Sequence, residues 1–141
     1  MSAVAPRAHH VDLAVTDPER SLAFYRDLLG FTDEGPIVGE RGERVVYLSR
    51  PGVSFYLGIR GRQSDAHPVP YERYAVGVHH LAFAVDSREA VDERHGWLVE
   101  NGVEIESEPR EYDYSPGYYA VFFYDPDGIK VEILHSPPLR S

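Results

Sequence analysis

Two stretches of this chain carry the residues best suited to chemistry: residues 8–15 read AHHVDLAV and residues 78–85 read VHHLAFAV, so a histidine pair heads an alternating apolar run twice, about half a chain apart. In a strand, successive side chains point to opposite faces. His10 then shares a face with Asp12 and Ala14, opposite Val11, Leu13 and Val15. His80 shares a face with Ala82 and Ala84, opposite Leu81, Phe83 and Val85. Near the C-terminus, Ile129, Val131 and Ile133 supply an apolar face, which turns Glu132 the other way. Two imidazoles and a carboxylate can therefore line one sheet surface, beside small residues that leave space. That is the donor set of a two-His-one-carboxylate metal site with open coordination positions.

A histidine at a strand start is more often a packed or hydrogen-bonded side chain than a ligand, and a single glutamate is more often a surface charge. The inference rests on the repetition of the histidine position and on the parity of the glutamate. By the same alternation, His9 and His79 fall on the helix-side faces. His95, His135 and His67 read as a helix side chain, a strand end and a linker residue.

The elements that must position these groups are written twice. After the first strand, Asp17 and Pro18 form an N-cap and first helical position. PERSLAFYRDLLG then carries Leu22, Tyr25, Leu28 and Leu29 on one side until Gly30 stops it. After the second strand, Asp86 or Ser87 caps REAVDERHGWLVENG, with Val91, Leu98 and Val99 on the buried side and Gly102 as the stop. Strand-like runs follow each helix, around a Pro-containing turn: ERVVYLSRPGVSFYLG (43–58) and YYAVFFYDPDGIKVEIL (118–134). Further short strands near 31–38 and 103–107 complete two β-α-β-β-β modules. The expected division is module 1 at about 7–60, a linker at 61–76, module 2 at about 77–136 and a tail at 137–141.

Composition excludes other classes. A chain of 141 residues with 43% hydrophobic content can bury a core. Fourteen Lys plus Arg against 23 Asp plus Glu give a net charge of −9, which disfavours nucleic-acid binding. The absence of cysteine removes thiolate nucleophiles and thiolate metal sites. With neither an apolar leader nor a run of spanning length, the expectation is a soluble cytoplasmic protein without a membrane role.

The segments HVDLAVTDPERSLAFYRDLLGF, HHLAFAVDS and AVFFYDPDGIKVEIL, covering nearly the whole plan, resemble the vicinal oxygen chelate superfamily of glyoxalases, bleomycin-resistance proteins and extradiol dioxygenases. The resemblance implies an α+β fold in which two tandem βαβββ modules form an open barrel-like sheet with an internal cavity and helices outside, commonly completed by homodimerisation. It also implies metal ligands at His10, His80 and Glu132. Aligning the two hairpins by Gly52 and Gly128 sets Tyr56 opposite Glu132, where glyoxalase I enzymes carry another carboxylate. A typical four-ligand glyoxalase I is thus disfavoured. Extradiol enzymes carry a histidine upstream of the last hairpin and a tyrosine near its middle. Here EYDYSPGYY has no histidine and Phe122 stands at the tyrosine position, so ring cleavage lacks support.

The reading that results is an enzyme with one divalent transition metal (Fe, Mn, Co, Ni or Zn) acting as Lewis acid on a small substrate chelated through neighbouring oxygens. Lyase, isomerase, transferase and ring-cleaving dioxygenase chemistry all fall within it. Tyr56 is a candidate hydrogen-bond donor or acid, or an aromatic that merely fills the cavity. The segment EPREYDYSPGYY (108–119) is a candidate lid, with Arg110, Tyr112, Tyr114 and Phe122 as candidate substrate contacts and Tyr118 leaning to packing. The rival reading is a metal-free protein that sequesters antibiotics or other aromatic compounds, which would not need the three ligands.

Overall fold

The computed structural model describes residues 5–61 and 70–137. His67 and the end of the tail lie outside them. The chain divides into two compact units, Met1–Pro68 and Val69–Ser141, and each is a βαβββ module carrying a four-stranded mixed sheet.

The first module runs β1 (His10–Val15), α1 (Pro18–Leu29), β2 (Thr32–Val38), β3 (Arg44–Ser49) and β4 (Tyr56–Gly61), with sheet order β1-β4-β3-β2. The helix begins where the sequence indicates: Asp17 is the N-cap, its side chain accepting from the Arg20 amide, and Pro18 follows it. It ends at Gly30, which is left-handed with a φ of 66° and whose backbone N–H donates a hydrogen bond to the Arg26 carbonyl. Leu22, Tyr25 and Leu28 on the helix and Leu13, Val15, Leu57 and Ile59 on β1 and β4 are all buried. Because β1 and β4 lie side by side and parallel, this apolar face leaves the alternate residues His10, Asp12, Tyr56, Gly58 and Arg60 on the other side of the sheet.

The second module repeats the plan with β5 (Leu81–Ala84), α2 (Arg88–Glu100), β6 (Ile105–Glu111), β7 (Tyr119–Tyr124) and β8 (Lys130–His135), in the order β5-β8-β7-β6. Ser87, not Asp86, is the N-cap, accepting from the Ala90 amide. Val91 and Leu98 are buried as expected, but Val99 is 58% exposed. One residue beyond Leu98, it is carried about 100° around the helix, away from the buried side. Strand β6 runs four residues beyond its expected end at 107, to Glu111. Arg110 therefore sits on a strand, paired in register with Ala120, and only residues 112–118 connect β6 to β7.

No helix among the described residues is long and apolar enough to cross a membrane.

Gly96 sits inside α2 with ordinary helical backbone, and a methyl group added there meets nothing within 4 Å. Gly96→Ala is expected to stabilise the protein by about 0.5–1 kcal/mol in urea unfolding. Leu98→Ala, at a fully buried site on the same helix, is expected to cost about 2–5 kcal/mol. Equal midpoints for the two variants would contradict this packing of α2.

Candidate functional site

In module 2 the row that crosses the sheet at Glu132 reads Ala82, Glu132, Phe122 on β5, β8 and β7. Glu132 is only 2% exposed, and burying a carboxylate is costly unless it is hydrogen-bonded. Two side chains meet that need. The Tyr118 hydroxyl donates to Oε2, and His80 Nε2 lies 3.1 Å from Oε1. Desolvation, and then the hydrogen bond to Glu132, push the Tyr118 phenol well above its ordinary pKa, so it remains a donor throughout the neutral range. To the packing expected of it, Tyr118 thus adds a hydrogen bond to a buried carboxylate. The signal that could have found it is the need of a buried carboxylate for a donor other than histidine.

His80 Nδ1 is 2.8 Å from His79 Nδ1. When the Nε2–H of His80 donates to Glu132, its Nδ1 accepts from the Nδ1–H of His79, and both contacts are satisfied. The module 1 doublet has the same form, with His9 Nδ1 and His10 Nδ1 3.0 Å apart. The first histidine of each pair is therefore not on the helix-side face. His9, His79 and His80 precede the regular strands, so alternation does not apply to them and the two rings converge.

The aromatic residues singled out near the last hairpin do gather. Phe122 lies edge-on to His80, centroids 6.1 Å apart, and to Tyr112 at 5.4 Å. Tyr112 stacks on Tyr114 at 5.1 Å, the Arg110 guanidinium lies over Tyr112 at 4.5 Å, and Tyr114 meets Tyr118 edge-on. Residues 111–118 line a concavity of about 400 Å³. Its lining combines the three tyrosines Tyr112, Tyr114 and Tyr118 with the carboxylates Glu111 and Asp113 and with Ser115, while Arg110 and Phe122 adjoin it through Tyr112; aromatic faces with polar tips suit a planar oxygenated molecule.

In module 1, His10 pairs in register with Tyr56 and lies edge-on to Tyr47 at 5.6 Å. Tyr56 stacks on His9 at 5.2 Å. The next row of this sheet reads Asp12, Gly58, Tyr47 on β1, β4 and β3. Measured from the equivalent histidines, this is the counterpart of the row Ala82, Glu132, Phe122. The residue opposite Glu132 is therefore Gly58, and the alignment that set Tyr56 there is two residues off: β4 and β8 pair with their neighbours in a register that the turn glycines do not report. Each module brings together one part of the expected ligand set, His10 in the first and His80 with Glu132 in the second. Among the described residues no group of three or more His, Asp or Glu side chains is gathered at metal-binding distance.

Residues 7–133 match the Glyoxalase/Bleomycin resistance protein/Dioxygenase superfamily, and the chain belongs to that family. It is 33% identical to the uncharacterized protein YqjT of Bacillus subtilis over 132 residues, covering 89% of this chain and 96% of that one. It is 29% identical to the metallothiol transferase FosB of Staphylococcus saprophyticus over 133 residues, covering 94% of this chain and 78% of FosB. The antibiotic binding protein TnmS3 from Streptomyces sp. CB03234 shares the fold, with a TM-score of 0.71 at 21% identity over 96% of this chain and all of that one. The likeness to TnmS3 is one of fold.

Tyr118→Phe removes one of the two donors to a buried carboxylate and is expected to lower unfolding free energy by roughly 1.5–3 kcal/mol. Tyr119→Phe removes an exposed hydroxyl contact to Asp92 and is expected to cost less than about 1 kcal/mol. Urea unfolding of both variants checks the ranking; a Tyr118→Phe variant as stable as wild type would contradict it.

Proposed function

We propose that the protein is a divalent-metal enzyme of its superfamily, in which His10, His80 and Glu132 hold one Fe, Mn, Co, Ni or Zn ion and a small substrate chelates that ion through neighbouring oxygens. The observation that carries this reading is the pair His80 Nε2 and Glu132 Oε1, 3.1 Å apart with the carboxylate buried. Two donor atoms each about 2.1 Å from one ion and at right angles stand about 3.0 Å apart. The spacing of the pair therefore fits joint ligation with little movement. Bound there, such an ion would supply Lewis-acid stabilisation of charge developing on substrate oxygen.

The chain's own residues have separate tasks in this proposal. His79 and His9 orient the two ligand imidazoles through their Nδ1 contacts, as partners outside the ligand set commonly do. Tyr118 holds Oε2 of Glu132 and leaves Oε1 facing His80. Arg110, Tyr112, Tyr114 and Phe122 form the wall against which the substrate lies, and Tyr56 donates a hydrogen bond to it. Support for a metal-dependent transferase or lyase over ring cleavage comes from Phe122, which offers no hydroxyl where the dioxygenases carry one, and from the likeness to FosB. The working form is a homodimer.

Elemental analysis of protein purified without chelator tests the reading. About one divalent transition metal per chain is expected in wild type and in Tyr56→Phe, with little in His80→Ala. Tyr56→Phe is expected to lower turnover of a substrate at unchanged metal content. A wild type that stays metal-free after incubation with each of the five ions would overturn the enzyme reading in favour of metal-free sequestration of an aromatic ligand.

A further inference from the structure

The chain has one lysine, Lys130, and the register of the two sheets gives it a counterpart. Gly58 corresponds to Glu132, so Tyr56, two residues earlier on β4, corresponds to Lys130 on β8. Continuing the β5–β8 register back by one residue sets Lys130 beside His80, as Tyr56 lies beside His10. On β8 Lys130 alternates with Val131 and so shares the face of Glu132. Each module thus places a donor side chain next to its histidine, a phenol in the first and an ammonium in the second.

That ammonium is neither in open solvent nor closed in a tight ion pair. The Lys130 side chain is only 13% exposed, and Nζ lies 4.5 Å above the ring of Phe122, the same ring that meets His80 edge-on. The ring quadrupole holds a cation in such a place. Its contact with the Glu106 carboxylate is 3.4 Å, longer than the roughly 2.7–2.9 Å of a close charge-assisted bond. Arg73 takes that carboxylate at 2.8 Å. Burial works against the charge of Glu106, but the hydrogen bond from Arg73 and then the Lys130 charge outweigh it and hold the carboxyl below its ordinary pKa. Two cations therefore share one carboxylate, in a chain whose net charge is −9, and an ammonium has three N–H donors to place.

We infer that Lys130 is a specificity-determining residue of the site, receiving a carboxylate or other oxyanion that the substrate carries a few atoms away from its chelating oxygens. The inference rests on the metal reading above only through His80 and Glu132, and every residue it uses lies in module 2. Glu132 and Lys130 stand two residues apart on one strand, about 7 Å, the span of a short carbon chain. Phe122 touches both His80 and Lys130 and gives the apolar middle of such a substrate a surface to lie on.

Zn(II)-loaded protein tests this with two hydroxamic acids, which chelate metals through neighbouring oxygens. Succinic monohydroxamic acid ends in a carboxylate; pentanohydroxamic acid has the same length and ends in a methyl group. Calorimetric titration is expected to give at least about tenfold tighter binding of the first in wild type. That preference is expected to be lost in Lys130→Met and enlarged in Glu106→Gln, which leaves the two cations without their shared carboxylate. When lysine alone is isotope-labelled, every lysine NMR signal belongs to Lys130, and these signals are expected to move as succinic monohydroxamic acid binds. If both acids bind wild type equally, if the Lys130 signals stay in place, or if the preference survives in Lys130→Met, the inference is overturned while the metal reading stands. Should Lys130→Met fail to fold, Glu106→Gln decides: a preference no greater than that of wild type overturns the inference. A wild type that takes up no Zn(II) overturns the metal reading, and the inference with it.

Discussion

A carboxylate placed in the middle of a buried strand sets the terms for the second module. Glu132 points away from the apolar side of β8 that Val131 and Ile133 bury, yet it is itself shielded from solvent. A charge in that position is tolerated only with donors on both oxygens, or with a cation. His80 and Tyr118 reach it from the strand entry and from the loop before β7, and the aromatic wall follows from Tyr118 through Tyr114, Tyr112 and Phe122. The placement of one glutamate thus dictates which side chains must converge, and the convergence is what gives the module a site.

The same constraint meets a different solution in the first module. There the carboxylate comes from β1, the strand that also carries the histidine, and Gly58 yields the space. Duplication conserved the row of the sheet and not the residue. A row crossing three hydrogen-bonded strands is a spatial unit, so a charge can pass from one strand to the next and still occupy the same volume. Such an exchange leaves the histidine doublets as the visible mark of the repeat.

Much of this was legible in the sequence. The αL stop at Gly30 and the Asp17 cap fixed α1 through local chemistry, and alternation around Val131 assigned the face of Glu132 correctly. The doublets located both modules. What the sequence obscured has physical causes. Alternation is a property of regular strands and does not hold for His9 and His79, which lie just before them. The register between β1 and β4 depends on how two distant segments pair, so aligning turns by their glycines misplaced Tyr56 by two residues. Tyr118 looked like packing because its hydroxyl partner lies 14 positions away. Position 110 looked like loop because a Pro at 109 and charged neighbours resemble a turn, whereas the edge strand β6 accommodates them.

X-ray absorption at the metal edge of Co(II)-loaded protein tests the central claim most directly, because it counts imidazoles on the ion. The account predicts outer-shell scattering from two histidine imidazoles together with oxygen donors at about 2.0–2.2 Å, falling to one imidazole in His10→Ala. A Co(II) ion with an all-oxygen environment, or one imidazole already in the wild type, would contradict it.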